Sequence, residues 1–320
     1  MNQGSFWRLK LIPTALGVAL LWLLHWLPLS LLAMIGHALG RLAASVPSKR
    51  RRVVETNLRL CFPEATEAMR RDWLRQTYCA ASRAALEHAI LWWGSAARVR
   101  RLVRIEHPEL AHGDGVRPVI WLAPHFVGLD MGGIRLTMDA PLVSIYSRAR
   151  NPIMGKLMLH GRTRFSPSPM FSRHDGVKPV LRELRRGLPF YYLPDQDYGP
   201  RDAVFVPFFG VATATVSALP RIARLTGAQI VPVVTRQLPG GQGYVLRCYP
   251  AWDNFPSDNL NADISRMNAF IEERVREMPE QYLWLHRRFK TRPPGEASVY
   301  EVGGTGELGG TFDSPPRPPL

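Results

Sequence analysis

A histidine and an aspartate, His125 and Asp130, follow directly on a short apolar run and have the clearest capacity for chemistry. The run, residues 119–123, is typical of a buried strand, and α/β folds place their sites at the carboxyl ends of such strands. A carboxylate that orients a histidine makes it a general base, because it holds the imidazole and stabilises its cation. We therefore predict that Asp130 orients His125, with Gly128 easing the turn between them.

The sequence shows no protein nucleophile beside this pair. It contains no GxSxG elbow, and its three cysteines, Cys61, Cys79 and Cys248, are scattered, which fits a reducing compartment. The nucleophile would then be a hydroxyl of the substrate itself. Neither a CxxC pair nor an HExxH motif is present, so we predict no metal and no cofactor.

Strands and helices alternate along the chain after Pro118, which predicts an α/β domain with a largely buried sheet. Turn residues, apolar runs and helical periodicity set the expected limits of the elements. The strands are predicted at 119–123, 142–146, 189–193, 229–234 and 244–249, with a short extended piece at 204–209, and the helices at 64–92, 128–138, 152–161, 176–186, 213–226 and 260–275.

The N-terminal part is the most apolar, with no Asp, Glu, Lys or Arg in residues 11–40. A membrane-spanning helix needs only ~20 such residues, but Pro13 and Pro28 interrupt the stretch, which could span with a kink or insert part-way. A cleaved signal peptide and a buried hairpin of two core helices are the alternatives. The basic run at 49–52, after the apolar stretch, carries more positive charge than Arg8 and Lys10 before it. By the positive-inside rule, this difference predicts that the bulk of the chain lies in the cytoplasm.

The chain of 320 residues carries a net charge of +15, which indicates an acidic partner. Residues 41–104 hold 14 Lys and Arg against 5 Asp and Glu. A basic segment beside an apolar one is typical of binding to an anionic membrane, and it could also receive an acidic carrier protein. No helix-turn-helix, zinc finger or RNP motif is present, so nucleic acid is not predicted as a partner.

Three segments are predicted: a membrane anchor over 1–46, a catalytic domain over 47–302 and a disordered tail over 303–320, rich in glycine and proline. The tail contains a GxGxxG pattern. Because no strand precedes it and no helix follows it, we do not assign it to dinucleotide binding.

Several further segments resemble the lipid A biosynthesis acyltransferases of Gram-negative bacteria, the lauroyl and myristoyl transferases. The His-x4-Asp pattern of His125 and Asp130 is similar to the His-x4-Asp/Glu motif of the lysophospholipid acyltransferase superfamily, to which that family belongs. The similar segments are ETNLRLCFPE at 55–64, NP at 151–152, GRTR at 161–164, PDQDYGP at 194–200, FVPFFG at 205–210 and EQYLWLHRRFKTRP at 280–293.

The resemblance implies a glycerolipid acyltransferase-like sandwich with a mixed, mostly parallel central sheet flanked by helices, and an N-terminal anchoring helix. It implies transfer of a fatty acyl group from acyl carrier protein to the hydroxyl of a 3-hydroxyacyl chain on a Kdo-lipid IV(A)-type precursor. The enzyme would lie at the bacterial inner membrane, with its catalytic domain on the cytoplasmic side.

The resemblance also assigns roles to residues. His125 would take the hydroxyl proton, and Asp130 would orient it. A functional arginine and aspartate of the family correspond by position to Arg162 and Asp195, with Arg164 and Asp197 as near substitutes. The other candidates for contact with a phosphorylated acceptor are Tyr198, Arg287 and Arg288.

Three other functions are compatible with parts of the sequence. An acyltransferase for another glycolipid or phospholipid acceptor would use the same chemistry. A non-enzymatic basic membrane-binding protein would not need His125. A metal-dependent hydrolase would use His125, Asp130, Asp195 and Asp197 and would lose activity with a chelator.

Overall fold

The computed structural model describes residues 3–147, 149 and 151–300, so the predicted tail at 303–320 lies outside the described residues. The helices are α1 (Gln3–Leu24), α2 (Leu29–Ser45), α3 (Lys49–Cys61), α4 (Glu67–Trp93), α5 (Ala96–Leu102), α6 (Leu129–Thr137), α7 (Pro152–Thr163), α8 (Lys178–Arg185), α9 (Ala218–Thr226) and α10 (Leu260–Glu277). The strands are β1 (Val103–Glu106), β2 (Val119–Leu122), β3 (Val143–Tyr146), β4 (Met170–Ser172), β5 (Phe190–Tyr192), β6 (Ala203–Phe208), β7 (Val211–Val216), β8 (Gln229–Gln237) and β9 (Tyr244–Cys248).

Seven strands form one sheet in the order β1-β9-β8-β2-β5-β3-β4. All neighbouring pairs are parallel except β8 and β9, which are antiparallel. β2, at the centre, is buried along its whole length, as a parallel strand covered on both faces must be. The predicted mixed, mostly parallel sheet flanked by helices is therefore confirmed.

Three strands were not predicted from the sequence, β1, β4 and β7. The helix predicted over 213–226 begins only at Ala218, because residues 211–216 form an antiparallel hairpin with β6. Alternating β-branched residues, Val211, Thr213 and Thr215, are the strand signal in this segment. Thr213 and Thr215 are fully buried, so the hairpin contributes one face to the core.

Helix α6 lies unusually close to the sheet because glycines face it. A Cβ atom added at Gly132 would lie 2.1 Å from Oγ1 of Thr235, and one at Gly128 would lie 2.7 Å from Cγ2 of the same residue. Neither position can hold a side chain unless Thr235 or α6 shifts. The close approach sets where the first turn of α6, and therefore Asp130, lies.

Helices α1 and α2 present an apolar exterior, and α2 packs on α4. A Cβ atom at Gly36 or Gly40 would overlap the α4 backbone, at 2.5 and 2.4 Å from the Cα atoms of Arg83 and Cys79. None of the described helices is by itself long and apolar enough to cross a membrane; α2 and α3 reach that length and composition only as a pair, with an 89° bend between them. The predicted anchor over 1–46 stays a prediction.

The C-terminal segment after α10 closes over the sheet. The backbone N–H of Val127 donates to the carbonyl of Gln281 at 2.8 Å, and that of Leu283 donates to the carbonyl of His125 at 3.0 Å. Asn57 of α3 holds the same segment by donating its side-chain amide to the carbonyls of Trp284 and His286, both at 2.8 Å. The motifs at 55–64 and 280–293 lie far apart in sequence, and these contacts bring them together in the structure.

Candidate active site

The loops after two neighbouring strands bring His125 and Asp195 together. In the parallel pair β2 and β5, Leu122 lies opposite Tyr192, and the ladder continues with the N–H of Ala123 donating to the Tyr192 carbonyl at 2.9 Å. His125 lies three residues beyond Leu122, and Asp195 lies three residues beyond Tyr192. Because the strands run side by side in this register, both residues emerge at the same edge of the sheet.

Asp195 binds His125 through the side chain and the backbone. Nδ1 of His125 lies 2.7 Å from Oδ1 of Asp195, and the backbone N–H of His125 donates to Oδ2 at 2.9 Å. Since a carboxylate only accepts, Nδ1 carries the proton and the lone pair is on Nε2. Burial raises the pKa of Asp195, but the positive charge that His125 carries when it is protonated, together with its hydrogen bonds, outweighs burial and holds the carboxyl pKa below its usual value.

The structure contradicts the predicted pairing of His125 with Asp130. Asp130, in the first turn of α6, accepts from Nε and Nη2 of Arg162 at 3.1 and 2.8 Å, and its other oxygen lies 3.2 Å from Nε2 of His88. Asp130 lies five residues after His125, and the turn of α6 directs its side chain away from the His125 loop and toward α4 and α7. The carboxylate that contacts His125 in the structure is that of Asp195, and not that of Asp130 as predicted.

His88 of α4 completes a second polar cluster and was missed by the sequence analysis. Its Nδ1 lies 2.7 Å from the carbonyl of Ala84, and its Nε2 faces Asp130. Both neighbours are acceptors, so both ring nitrogens donate and the imidazole is cationic. Burial lowers the pKa of His88, but the hydrogen bond to Asp130 and its charge raise it above the usual value. His88 lies 42 residues from Asp130 in the chain, so no local motif indicated it.

Burial raises the pKa of Asp130, but Arg162 and His88 together hold it well below its usual range. The cluster of His88, Asp130 and Arg162 thus contains two cations and one anion, and its side chains keep roughly a fifth to a quarter of their surface exposed. A partly exposed cluster with a net positive charge is suited to receive an anionic group.

Asp197, two residues after Asp195, contacts the C-terminal segment. Its carboxylate accepts from the Thr291 backbone at 2.6 Å and the Thr291 hydroxyl at 2.8 Å, and also from the N–H of Gly199 at 2.9 Å. Its own N–H donates to Nε2 of His286 at 3.0 Å. Burial and the nearby charge of His125 lower the pKa of His286 to about 4, so this ring is the neutral acceptor that the contact requires.

Two of the four arginines predicted to bind substrate have protein carbonyls as partners. Arg164 donates to the carbonyls of Leu91 and Gly94 at the end of α4, at 2.9 and 2.7 Å. Arg288 is fully buried and donates to the Ala214 carbonyl at 2.8 Å. These contacts stabilise the fold, in contrast to the substrate contacts predicted for the two residues. Arg287 is partly exposed, with its guanidinium 5.8 Å from the centre of the Tyr300 ring.

Tyr198 and Gln196 extend the His125 site to the surface. The hydroxyl of Tyr198 donates to Oε1 of Gln196 at 3.0 Å, and Nε2 of Gln196 lies 3.0 Å from Nε2 of His125. Tyr198 was predicted at the site, whereas Gln196 was not, although it lies between the two aspartates of the PDQDYGP segment. Among the residues that the structure describes, no three His, Cys, Asp or Glu side chains are placed to hold a metal ion.

The fold and the site define the class: an α/β protein with a histidine–carboxylate site at the carboxyl edge of a mostly parallel sheet. Residues 3–291 match the family model of the bacterial lipid A biosynthesis acyltransferases. This chain belongs to that family and is an acyltransferase.

Several characterised relatives are similar along most of their length. The chain is 36% identical over 291 residues to the lipid A biosynthesis lauroyltransferase of Escherichia coli strain K12, covering 90% of this chain and 94% of the relative. It is 32% identical to the palmitoleoyltransferase of that strain, covering 90% and 94%, and 30% identical to the myristoyltransferase, covering 85% and 83%.

A solved structure, the 1-acyl-sn-glycerophosphate acyltransferase PlsC from Thermotoga maritima, is similar over 72% of this chain and 98% of its own length, at 17% identity. Its TM-score of 0.35 is too low to establish a shared fold.

Proposed function

We propose that this acyltransferase moves a fatty acyl group from acyl carrier protein to the hydroxyl of a 3-hydroxyacyl chain on a Kdo-lipid IV(A)-type precursor. His125 is the general base in this proposal. The observation that carries it is the contact between Nδ1 of His125 and Asp195. This contact leaves the lone pair of the imidazole on Nε2, the nitrogen that faces the partly exposed side chain of Gln196.

The reaction follows from that tautomer. The acceptor hydroxyl attacks the thioester carbonyl while Nε2 of His125 takes its proton. Asp195 stabilises the imidazolium that forms, as the orienting carboxylate of a base does. When the tetrahedral intermediate collapses, the C–S bond breaks and the imidazolium returns the proton to the departing thiolate. The products are the ester and the free thiol of the carrier, and the base is restored.

Asp130 acts in this proposal through Arg162 and His88 rather than through His125. Its carboxylate fixes the guanidinium with two hydrogen bonds, and the excess positive charge of the cluster supports binding of a phosphate of the acceptor. An arginine suits this role because its planar donors match phosphate oxygens. Asp195 and Asp130, both predicted at the site, therefore have separate functions.

The membrane is the proposed location of the acceptor. Large apolar side chains of α1, α2 and the turn between them are exposed, including Leu16, Leu20, Trp26 and Met34. Helix α3 follows with the exposed cations Lys49, Arg50 and Arg52. Apolar insertion and attraction to anionic lipid reinforce each other in such a surface, and this combination supports binding at the inner membrane, with the catalytic domain on its cytoplasmic side.

The test is an acyl-transfer assay in detergent with the purified full chain. A set of acyl carrier protein thioesters and the Kdo-modified tetraacyl precursor are supplied, and mass spectrometry measures the product. We expect a gain of one acyl group with the wild type and none with His125→Ala. Asp253→Asn, a change on the exposed surface, is the control. Equal transfer by wild type and His125→Ala would contradict the role of His125. No transfer to this acceptor or the pentaacyl form would contradict the proposed substrate.

A further inference from the structure

The side chain of Gln196 occupies the position at which the general base must meet its substrate. A base takes a proton from a hydroxyl that lies within about 2.6–3.2 Å of it. Nε2 of Gln196 lies 3.0 Å from Nε2 of His125. An acceptor hydroxyl and the Gln196 amide cannot both lie there, so the amide has to leave before acyl transfer begins.

The hydrogen bonds around Gln196 all run in one direction, which identifies each donor. The Tyr198 hydroxyl donates to Oε1 of Gln196. The Gln196 amide N–H then donates to Nε2 of His125, and Nδ1–H of His125 donates to Asp195. With a neutral imidazole, this series of hydrogen bonds requires one orientation of the amide and one tautomer of the ring. The lone pair that serves as the base is therefore occupied by a protein N–H.

The local backbone lets the Gln196 side chain move while its main chain stays in place. Asp195 and Asp197 on either side are buried and bound to His125 and Thr291. Gln196 itself is partly exposed, and Tyr198, which holds its oxygen, is 44% exposed. Rotation of the amide away from His125 thus breaks side-chain hydrogen bonds but leaves the buried anchors intact.

We propose that Gln196 guards the base against water until the acceptor displaces it. The inference rests on the proposed function. Without a guard, His125 could activate water as readily as a hydroxyl: water would attack the thioester, Nε2 would take a proton, the C–S bond would break and the thiolate would be reprotonated. The products would be a free fatty acid and the carrier thiol. The guard favours transfer over this hydrolysis, because only an acceptor bound by its other contacts has the free energy to displace the amide.

Hydrolysis and transfer are measured together for the wild type, Gln196→Ala and Tyr198→Phe, with acyl carrier protein thioesters in the presence and absence of the lipid acceptor. We expect Gln196→Ala to raise hydrolysis without acceptor about tenfold, the effect of losing one hydrogen bond of ordinary strength. Tyr198→Phe, which only loosens the guard, should raise it less. The exposed Gln242→Ala serves as the matched control.

Two further results separate the guard from other roles. The double variant His125→Ala with Gln196→Ala should hydrolyse no faster than His125→Ala, because the added hydrolysis passes through the base. Unchanged hydrolysis in Gln196→Ala, with transfer intact, would overturn the guard and leave the proposed function standing. Loss of both reactions in Gln196→Ala would assign it a structural or catalytic role and also overturn the guard. Absence of transfer in the wild type itself would instead refute the proposed function on which the guard rests.

Discussion

The two nitrogens of His125 face groups of opposite kind, a carboxylate at Nδ1 and an amide donor at Nε2. Each neighbour selects the same tautomer, so the ring presents one defined lone pair rather than a mixture of two. The buried position of Asp195 strengthens this preference, because the carboxylate has lost water and depends on the hydrogen bonds from His125. In the proposed mechanism, Asp195 is therefore a positioning residue for His125.

Replacing Asp195 by asparagine tests that role. Asp195→Asn keeps the shape but removes the negative charge that stabilises the imidazolium, and its amide can favour the wrong tautomer. We expect the kcat of acyl transfer to fall on the order of a hundredfold or more, with little change in KM for either substrate. Steady-state kinetics of this variant beside Asp253→Asn make the comparison. A kcat within a factor of a few of the wild type would remove Asp195 from the mechanism.

His88 makes a pH-dependent contribution to stability. Its pKa is raised in the folded protein, so the stabilisation is fully present below the unfolded value of about 6.5 and is lost as pH rises through the folded pKa. We expect the difference in unfolding free energy between wild type and His88→Asn to shrink as pH rises above that value. Urea unfolding across pH 6–9 measures it. The exposed His160→Asn is the control, and a difference for His88→Asn that stays constant across this range would contradict a cationic ring.

At the scale of the elements, the contact between α6 and β8 positions the polar cluster. The glycines of α6 allow the helix to lie against Thr235, and the first turn of the helix then presents Asp130 to Arg162 of α7 and His88 of α4. An acidic residue in the first turn also interacts favourably with the helix dipole. The cluster thus depends on backbone packing as much as on its own charges.

Substituting Gly132 tests this dependence. In Gly132→Ala the new methyl group would lie 2.1 Å from Oγ1 of Thr235, so we expect a loss of about 1–3 kcal/mol in unfolding free energy and a raised KM for the acceptor. Gly155→Ala on α7 is the matched control, because its methyl group would meet only Cβ of Ala149 at 3.6 Å. Unfolding in urea and steady-state kinetics measure both effects. Equal stability of the two variants would show that α6 can move away from β8 at no cost.

At the scale of the whole molecule, the cations that give the chain its net positive charge form two groups. Some have partners within the protein, and others are exposed to solvent. Arg83 is buried in an ion pair with Glu87 at 2.8 Å, and Arg70 donates to the carbonyl of Phe62 at 3.0 Å. Arg41 and Lys49 are exposed beside the apolar exterior of α1 and α2. Only part of the charge in residues 41–104 is therefore available to a membrane or an acidic partner.

The exposed apolar surface can be tested by adding charge to it. The variant Leu20→Glu with Trp26→Glu places two carboxylates at residues that are 56% and 68% exposed. We expect its binding to vesicles of anionic phospholipid to weaken by at least about tenfold, through lost apolar insertion and added repulsion. Leu225→Glu on α9, 60% exposed, is the control. Vesicle sedimentation measures the bound fraction, and unchanged binding of the double variant would place the membrane contact elsewhere.

The sequence by itself determined the elements whose signals are local. The apolar run before His125 predicted β2, and the spacing of Leu260, Ile264 and Ile271 predicted α10, as the structure confirms. That run also predicted that His125 follows the end of a buried strand. The prediction missed β1 and β4, which are only four and three residues long and depend on neighbouring strands for their formation. It also missed β7, although its β-branched residues alternate, because that segment was assigned to the helix that follows it.

Only the tertiary structure decided which carboxylate faces His125. Asp130 lies five residues away in sequence, yet the helical turn directs it to α4 and α7. Asp195 lies 70 residues away, yet the register of β2 and β5 brings it to 2.7 Å. Strand pairing is a long-range choice that depends on packing of the whole sheet, so proximity along the chain was the wrong guide to proximity in space.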